Sequence, residues 1–131
     1  MRILYTLLVA SVTLLMIGCD QDPFHLSYRK VAGDYYLHRW EDDKTYYLED
    51  RTRDKQDGGG AIGGVVVQLG WNDGFILVKR HSTFTGDADG WMIVDVKQKT
   101  IQGPYTAEKI KSMPDASGLD VLDASKAWAK L

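Results

Sequence analysis

Cys19 carries the most reactive side chain of this 131-residue chain and is its single cysteine. A thiol is a nucleophile that can be alkylated, while a lone one excludes an intramolecular disulfide and a multi-thiolate metal site. The uncharged run Ile3–Gly18 lies directly before it and follows Arg2. A helix of that length covers roughly 24 Å, less than the ~30 Å hydrocarbon core. The run therefore predicts a secretory signal rather than a permanent membrane span.

The end of this run carries a motif with a specific chemistry. Met16-Ile17-Gly18-Cys19 resembles the lipobox of bacterial lipoproteins. The resemblance implies transfer of a diacylglyceryl group to the Cys19 sulfur, cleavage before Cys19 and, in many bacteria, acylation of the new amino group. Two or three acyl chains give a stable membrane anchor, whereas one chain binds reversibly. The alternative is a free cysteine at the end of an uncleaved signal anchor.

Asp20 follows the lipobox and bears on where the chain is placed. It resembles the residue that retains some Gram-negative lipoproteins in the inner membrane. We therefore expect a lipid-anchored protein on the periplasmic face of the inner membrane, with an outer-membrane location left open. The alternative is that Asp20 merely begins a polar linker.

The chain as a whole, signal run included, has the composition of a folded protein, with 44% apolar and 11% aromatic residues. Its net charge of −2 provides no basic field for a phosphate backbone, so we expect no nucleic-acid partner. We predict a signal peptide over residues 1–18, a lipidated cysteine and flexible tether over 19–30, and a single β-rich globular domain over 31–131.

Hydrophobic alternation from Asp34 onward has a period of two, which is typical of strands. We predict a mainly β (α+β) fold, an antiparallel meander of about six strands, because short links exclude parallel crossovers. The predicted strands span residues 34–40, 45–50, 65–71, 75–81, 91–96 and 100–102, with Asn72-Asp73-Gly74 as a tight turn.

The C-terminal part of the chain is expected to supply a cover for this sheet. The central strands are apolar on both faces, so they should be covered on both sides or curled around a core. Gly103-Pro104-Tyr105 is expected to end the sheet, and Thr106 to cap a helix that runs to Met113. A second helix is predicted over residues 119–131, which makes one or two C-terminal helices in all.

Candidate catalytic and metal-binding groups are sparse. His25, His38 and His81 lie on three segments, and a sheet can bring His38 and His81 together near a carboxylate. No H-x-x-x-H spacing concentrates them, so we interpret them as surface histidines rather than zinc ligands. Ser82 follows His81 directly, which points the two side chains apart on a strand. We expect no catalytic residues, metal or cofactor, although a deep pocket gathering both histidines would revive a hydrolase.

Two loops resemble ligand-binding motifs in part. Gly58, Gly60 and Gly63 form G-x-G-x-x-G, but Val65–Val67 predicts a following strand where a dinucleotide site needs a helix. We interpret this stretch as a mobile connection between hairpin and sheet. Asp87–Gly90 is faintly like a calcium loop but lacks the later oxygen ligands, so a solvated hairpin loop is favoured and cation binding stays open.

The aromatic residues are the best candidates for a ligand surface. Trp40, Trp71 and Trp91 lie near strand ends, and four tyrosines crowd the first hairpin at positions 35, 36, 46 and 47. Exposed tyrosine and tryptophan rings bind sugars, peptidoglycan fragments or a partner protein through large rigid surfaces. The alternative is that these rings fill the core of a small domain.

Three motifs in order point to a family. Trp71–Lys79, Trp91–Lys97 and Gly103–Thr106 resemble the strand and turn motifs of a family of small, uncharacterised bacterial lipoproteins of unknown function. That resemblance implies no transferable activity and no catalytic residues. We expect a non-enzymatic, membrane-anchored module that binds another envelope protein. The alternative is a periplasmic glycan- or small-ligand-binding protein.

Overall fold

A computed structural model describes residues 27–52 and 59–131. In these two segments the protein is mainly β, with eight strands in two antiparallel sheets and a few short helices near the C-terminus. The predicted signal peptide, Cys19, Asp20 and His25 lie outside the described residues. Among the residues described, no helix is long and apolar enough to cross a membrane.

The first sheet contains three strands in the order β1-β2-β3: β1 (Tyr28–Ala32), β2 (Tyr35–Arg39) and β3 (Tyr46–Asp50). The predicted hairpin is confirmed as β2 and β3, which are joined by the predicted turn of charged residues. Within that turn the Asp42 carboxylate accepts hydrogen bonds from the backbone N–H groups of Lys44 and Thr45, both at 2.9 Å. β1 begins at Tyr28, so this strand and the predicted tether share residues 28–30.

The second sheet has five strands in the order β7-β6-β5-β4-β8. They are β4 (Gly64–Trp71), β5 (Phe75–Ser82), β6 (Gly90–Asp95), β7 (Thr100–Tyr105) and β8 (Leu122–Asp123). The turn predicted between β4 and β5 is confirmed. Asn72 closes it, because its Oδ1 accepts from the N–H groups of Gly74 at 2.9 Å and Phe75 at 2.8 Å.

The predicted mainly β, antiparallel fold with C-terminal helices is confirmed, and the meander of about six strands is found as eight strands divided between two sheets. β3 and β4 are consecutive in the chain, yet they belong to different sheets. A short 3-10 segment (Gly60–Ile62) lies along the outer edge of β3, and a Cβ on Gly60 would stand 2.4 Å from the Leu48 carbonyl oxygen. This segment takes the place beside β3 that β4 would need for pairing.

The α-helices of the described residues are α1 (Ala107–Lys111), α2 (Pro114–Ser117) and α3 (Ala124–Lys130). Thr106 caps α1 as predicted, its Oγ1 accepting from the Lys109 N–H at 3.2 Å. The predicted helix over 119–131 is wrong in its first part, because Leu122–Asp123 pairs with β4 as β8 before α3 begins.

The expected break at Gly103-Pro104-Tyr105 is also wrong, since β7 continues to Tyr105. The ladder between β6 and β7 shifts register between Trp91 and Ile93. This bulge places Gly103 and Pro104 opposite one residue of β6, which accommodates a proline that cannot donate to the ladder.

Two apolar clusters cover the five-stranded sheet on both faces, as expected from its central strands. The main core lies between the two sheets and α3, and it includes Leu37, Leu69, Val78 and Trp128. A smaller cluster lies under α1 and α2 and includes Leu77, Ile93, Ile110 and Ala116. Neither cluster of the described residues covers the outer side of the three-stranded sheet.

Candidate binding surface

Five aromatic side chains occupy the outer side of the three-stranded sheet, and we call this set the aromatic face: Tyr28, Tyr36, His38, Trp40 and Tyr47. The register places Tyr28, His38 and Tyr47 side by side on β1, β2 and β3. Because strand side chains alternate, Tyr36, His38 and Trp40 fall on one side of β2. Their neighbours in sequence, Tyr35 and Leu37, are buried in the main core.

The rings of the aromatic face contact one another around His38. Tyr28 stacks on the imidazole, with ring centroids 4.2 Å apart and planes 15° apart. Trp40 meets His38 edge-on at 5.8 Å and Tyr47 edge-on at 6.2 Å. Trp40 nevertheless remains 50% exposed, so a large planar ring is fixed by its neighbours and still open to a ligand.

Charged groups border these rings. His38 Nδ1 lies 3.0 Å from Glu49 Oε1, and the Arg51 guanidinium lies 4.3 Å from the ring centroid of Tyr28 and 5.5 Å from that of Tyr36. Burial raises the pKa of Tyr28, and the negative charge of Glu49 raises it further. Tyr28 thus keeps its phenolic proton at neutral pH. The surface offers flat rings together with hydrogen-bonding and charged groups at its border.

The three tryptophans proposed as a ligand surface lie in three different surroundings. Trp40 belongs to the aromatic face. Trp71 packs against the main core, with Lys130 Nζ 5.5 Å from its ring, and Trp91 packs against the smaller cluster, with Lys79 Nζ at 5.9 Å. In the described part of the chain no ring contact joins any two of them. The structure therefore does not bring them together on one surface.

Two of the four tyrosines of the first hairpin fill the core, and the other two lie on the candidate ligand surface. Tyr35 and Tyr46 are buried core residues, while Tyr36 and Tyr47 point outward. The sequence indicates this division, because the four tyrosines form two adjacent pairs and neighbouring strand residues point to opposite faces of a sheet. Sequence reasoning missed Tyr28, which it assigned to the tether.

His38 and His81 are not neighbours, contrary to the possibility raised from the sequence. His38 is on β2 and His81 is on β5, in different sheets. Across residues 27–52 and 59–131, no group of three or more His, Cys, Asp or Glu side chains is placed to hold a metal ion.

In the Asp87–Gly90 loop, the Asp89 carboxylate contacts β5. Asp89 Oδ1 accepts from the Ser82 N–H at 2.7 Å, and Asp89 Oδ2 lies 3.0 Å from His81 Nδ1. The Ser82 backbone bond lowers the pKa of Asp89, and His81 lowers it further. The Asp89 oxygens are thus already engaged within the β5–β6 connection.

The glycine-rich stretch is packed against the domain where it is described. Gly59 and Ile62 are buried, and Ile62 belongs to the main core. The buried Arg80 side chain donates to the Ile62 carbonyl and to the Ala88 carbonyl, both at 2.7 Å. Residues 53–58, which include Gly58 of the glycine motif, lie outside the described residues. A strand follows Gly63 directly, so the helix of a dinucleotide site is missing from this part of the described chain.

Comparison with protein families identifies the family of this chain. A family model described as "Protein of unknown function (DUF3997)" matches residues 32–121, more than half of the chain. Neither the curated proteins nor the solved structures contain a match to this chain. The match agrees with a family of unknown function, and the lipoprotein part of the sequence analysis stays a prediction.

Proposed function

The chain belongs to the DUF3997 family of proteins of unknown function, and we propose that it is a lipid-anchored, non-enzymatic module of the cell envelope that binds another envelope protein. The observation that carries this proposal is the aromatic face of the three-stranded sheet. Tyrosine, tryptophan and arginine are the residue types that contribute most binding energy at protein interfaces. Here these types are clustered and supported by their neighbours on a rigid sheet.

The geometry of the face favours binding over catalysis. Trp40 is half exposed, and its ring is held by His38 and Tyr47. A ring that is already ordered loses little conformational entropy when a partner covers it. Glu49 and Arg51 at the border supply charges that orient a partner and select against others.

The anchoring part of the proposal rests on the lipobox resemblance of Met16–Cys19. Membrane and soluble fractions of cells expressing the full chain, or its C19S variant, test it. We expect the chain in the membrane fraction and C19S in the soluble fraction or retained as an uncleaved precursor. Equal membrane recovery of a cleaved C19S chain would refute lipid anchoring.

The partner part is tested by affinity capture from envelope extracts with the tagged, lipidated chain. We expect one reproducible protein partner, with recovery reduced at least tenfold by W40A. T100A, an exposed residue on β7, is the matched control and should leave recovery unchanged. A chain without a partner, or equal recovery with W40A and T100A, would count against the proposal.

A glycan ligand is the second candidate, and one observation favours it. The register places Lys30 and Glu49 on either side of Tyr36, so polar side chains lie beside these rings, and such rings also stack on sugars. Tryptophan fluorescence titrated with muropeptides and simple sugars distinguishes the two candidates. A saturable change that W40A abolishes would favour the glycan, and a flat response would remove it.

A further inference from the structure

We propose that an extended peptide segment of the partner protein adds as a strand to the open edge of β4, a step that builds on the proposed function. The site is a groove of about 460 Å³ lined by residues 44–46, 65–67 and 123–125 and, where it reaches onto the sheet face, by His81 of β5; we call this groove the edge slot. Adding a strand to an exposed sheet edge is a common mode of peptide recognition, in which backbone hydrogen bonds provide affinity.

The slot exists because β8 covers only part of the β4 edge. β8 pairs with β4 at Gln68 and Leu69. The chain then turns into α3 at Ala124, so that β8 does not continue along the earlier residues of β4. A peptide in the slot would extend the ladder from the place where β8 stops.

The alternation of hydrogen-bond directions along β4 shows which of its backbone groups point into the slot. The Gly64 N–H donates to the Gly59 carbonyl at 3.0 Å, so Gly64 directs its groups away from β5. In an antiparallel ladder alternate residues share this direction, and Val66 therefore presents its N–H and C=O to the slot. Since Gly64 is already paired with Gly59, the available edge runs over Val65–Val67, about 10 Å at ~3.3 Å per residue, and it ends at the register shift between Val66 and Gln68.

The opposite wall of the slot is the edge of β3, and the same alternation shows which of its backbone groups face the slot. The Trp40 N–H donates to the Thr45 carbonyl at 2.8 Å, which makes these two residues a hydrogen-bonded pair. The next residue, Tyr46, therefore directs its backbone groups away from β2 and toward the slot. Further along β3 the 3-10 segment covers this edge at Leu48, where a Cβ on Gly60 would nearly touch the carbonyl oxygen.

Exposed strand edges are normally covered or charged, because they pair readily with other chains. Both edges are covered elsewhere, one by β8 and the other by the 3-10 segment, and within residues 27–52 and 59–131 no strand pairs with either edge at the slot. Val67 is 43% exposed there and is one of three large hydrophobic side chains that are exposed in the described residues. Open backbone groups together with exposed valine fit a peptide strand better than a sugar or a metal ion.

The side chains around the slot indicate what kind of segment fits. Tyr46 and Ala124 are nearly buried and apolar, so the residues that face them should be small and apolar. Lys44 and Asp123 lie on opposite walls with opposite charges, which selects against a segment of high net charge. The slot also adjoins the β2–β3 turn next to Trp40, so that one partner can occupy the slot and contact the aromatic face.

The test selects displayed random nine-residue peptides on the full chain in detergent and then measures amide hydrogen exchange on each complex. We expect selected peptides to slow exchange of the Val66 and Tyr46 amides at least tenfold. N-methylation of alternate backbone nitrogens in the same peptides should abolish binding, because it removes donors and blocks strand pairing. This comparison uses the unaltered protein.

A matched pair of variants tests the same edge from the protein side. V67K places a charge at the open edge and should weaken peptide binding at least tenfold, whereas T100K on the opposite edge of the sheet should not. The proposal falls if no peptide is selected, if protection appears elsewhere, if N-methylated peptides still bind, or if the free chain already protects these amides. Partner capture that needs Trp40 but tolerates V67K would leave the proposed function standing and remove the slot.

Discussion

Trp128 offers the sharpest test of how the two sheets are held together. This residue of α3 is 4% exposed and belongs to the main core. Its ring lies 6.0 Å from that of Tyr46, with the guanidinium groups of Arg29 at 4.5 Å and Arg39 at 4.8 Å, and its carbonyl accepts a hydrogen bond from Arg29. One side chain thus connects β1, β2 and β3 to α3, which packs against β4.

The expected effect of W128A follows from these contacts. Truncating a buried tryptophan costs about 3–5 kcal/mol through lost burial and the cavity left behind. The cation–π contacts add about 0.5–1 kcal/mol each where they are partly exposed. Since a domain of this size has a free energy of unfolding of roughly 5–15 kcal/mol, W128A removes a large share of it.

Urea unfolding followed by far-UV circular dichroism measures this effect without depending on tryptophan emission. With a slope of about 1–3 kcal/mol per molar urea, the midpoint should fall by about 1 M or more. W40A is the matched control, because a half-exposed tryptophan outside the core should cost no more than about 1–2 kcal/mol. Equal shifts for the two variants would refute the assignment of Trp128 to the core and Trp40 to the surface.

Two further predictions concern the loops. G60A should lower the free energy of unfolding by at least about 1–2 kcal/mol, because Gly60 has a φ of +64° and the added Cβ would stand against the Leu48 carbonyl. G118A is the control, since Gly118 has open space around it, and equal urea midpoints for G60A and G118A would contradict the prediction. D89N should be less stable than the wild type at pH 5, and the difference should shrink as the pH falls through the lowered pKa of Asp89, because the ionised form is the one that the loop stabilises. A difference that stays constant down to the acid limit of folding would contradict the second prediction.

The sequence contains the information for the local hairpins and turns. Period-two alternation places both hairpins, and Asn72 and Thr106 act through short side-chain-to-backbone bonds that depend on adjacent residues alone. These elements are predictable because their causes lie within a few residues.

The elements that the sequence did not predict depend on distant parts of the chain. Leu122–Asp123 lies within a helical pattern, yet it pairs with Gln68 and Leu69, some 55 residues earlier. The split into two sheets depends on where the 3-10 segment packs against β3. Neither the pairing of β8 nor the split into two sheets can be read from neighbouring residues, because each depends on which strand edge is free in the folded domain.

The candidate site shows the same limit. Trp40, Trp71 and Trp91 have similar positions near strand ends, but their exposure depends on which sheet face another segment covers. Trp91 lies over the smaller cluster with α1 and α2, and Trp71 lies against the main core, while the outer side of β2 has no cover in the described chain. Burial by distant segments thus separates the exposed ring of Trp40 from the partly buried rings of Trp71 and Trp91.

Site-specific photocrosslinking in intact cells tests the central claim most directly. A photoreactive phenylalanine analogue replaces Tyr47 on the aromatic face or, as control, Lys97 in the exposed β6–β7 turn. We predict one protein adduct of constant mass from position 47, its loss when C19S removes the anchor, and no such adduct from position 97. Equal adducts from both positions, or none from position 47, would contradict a membrane-anchored module that binds its partner through this face.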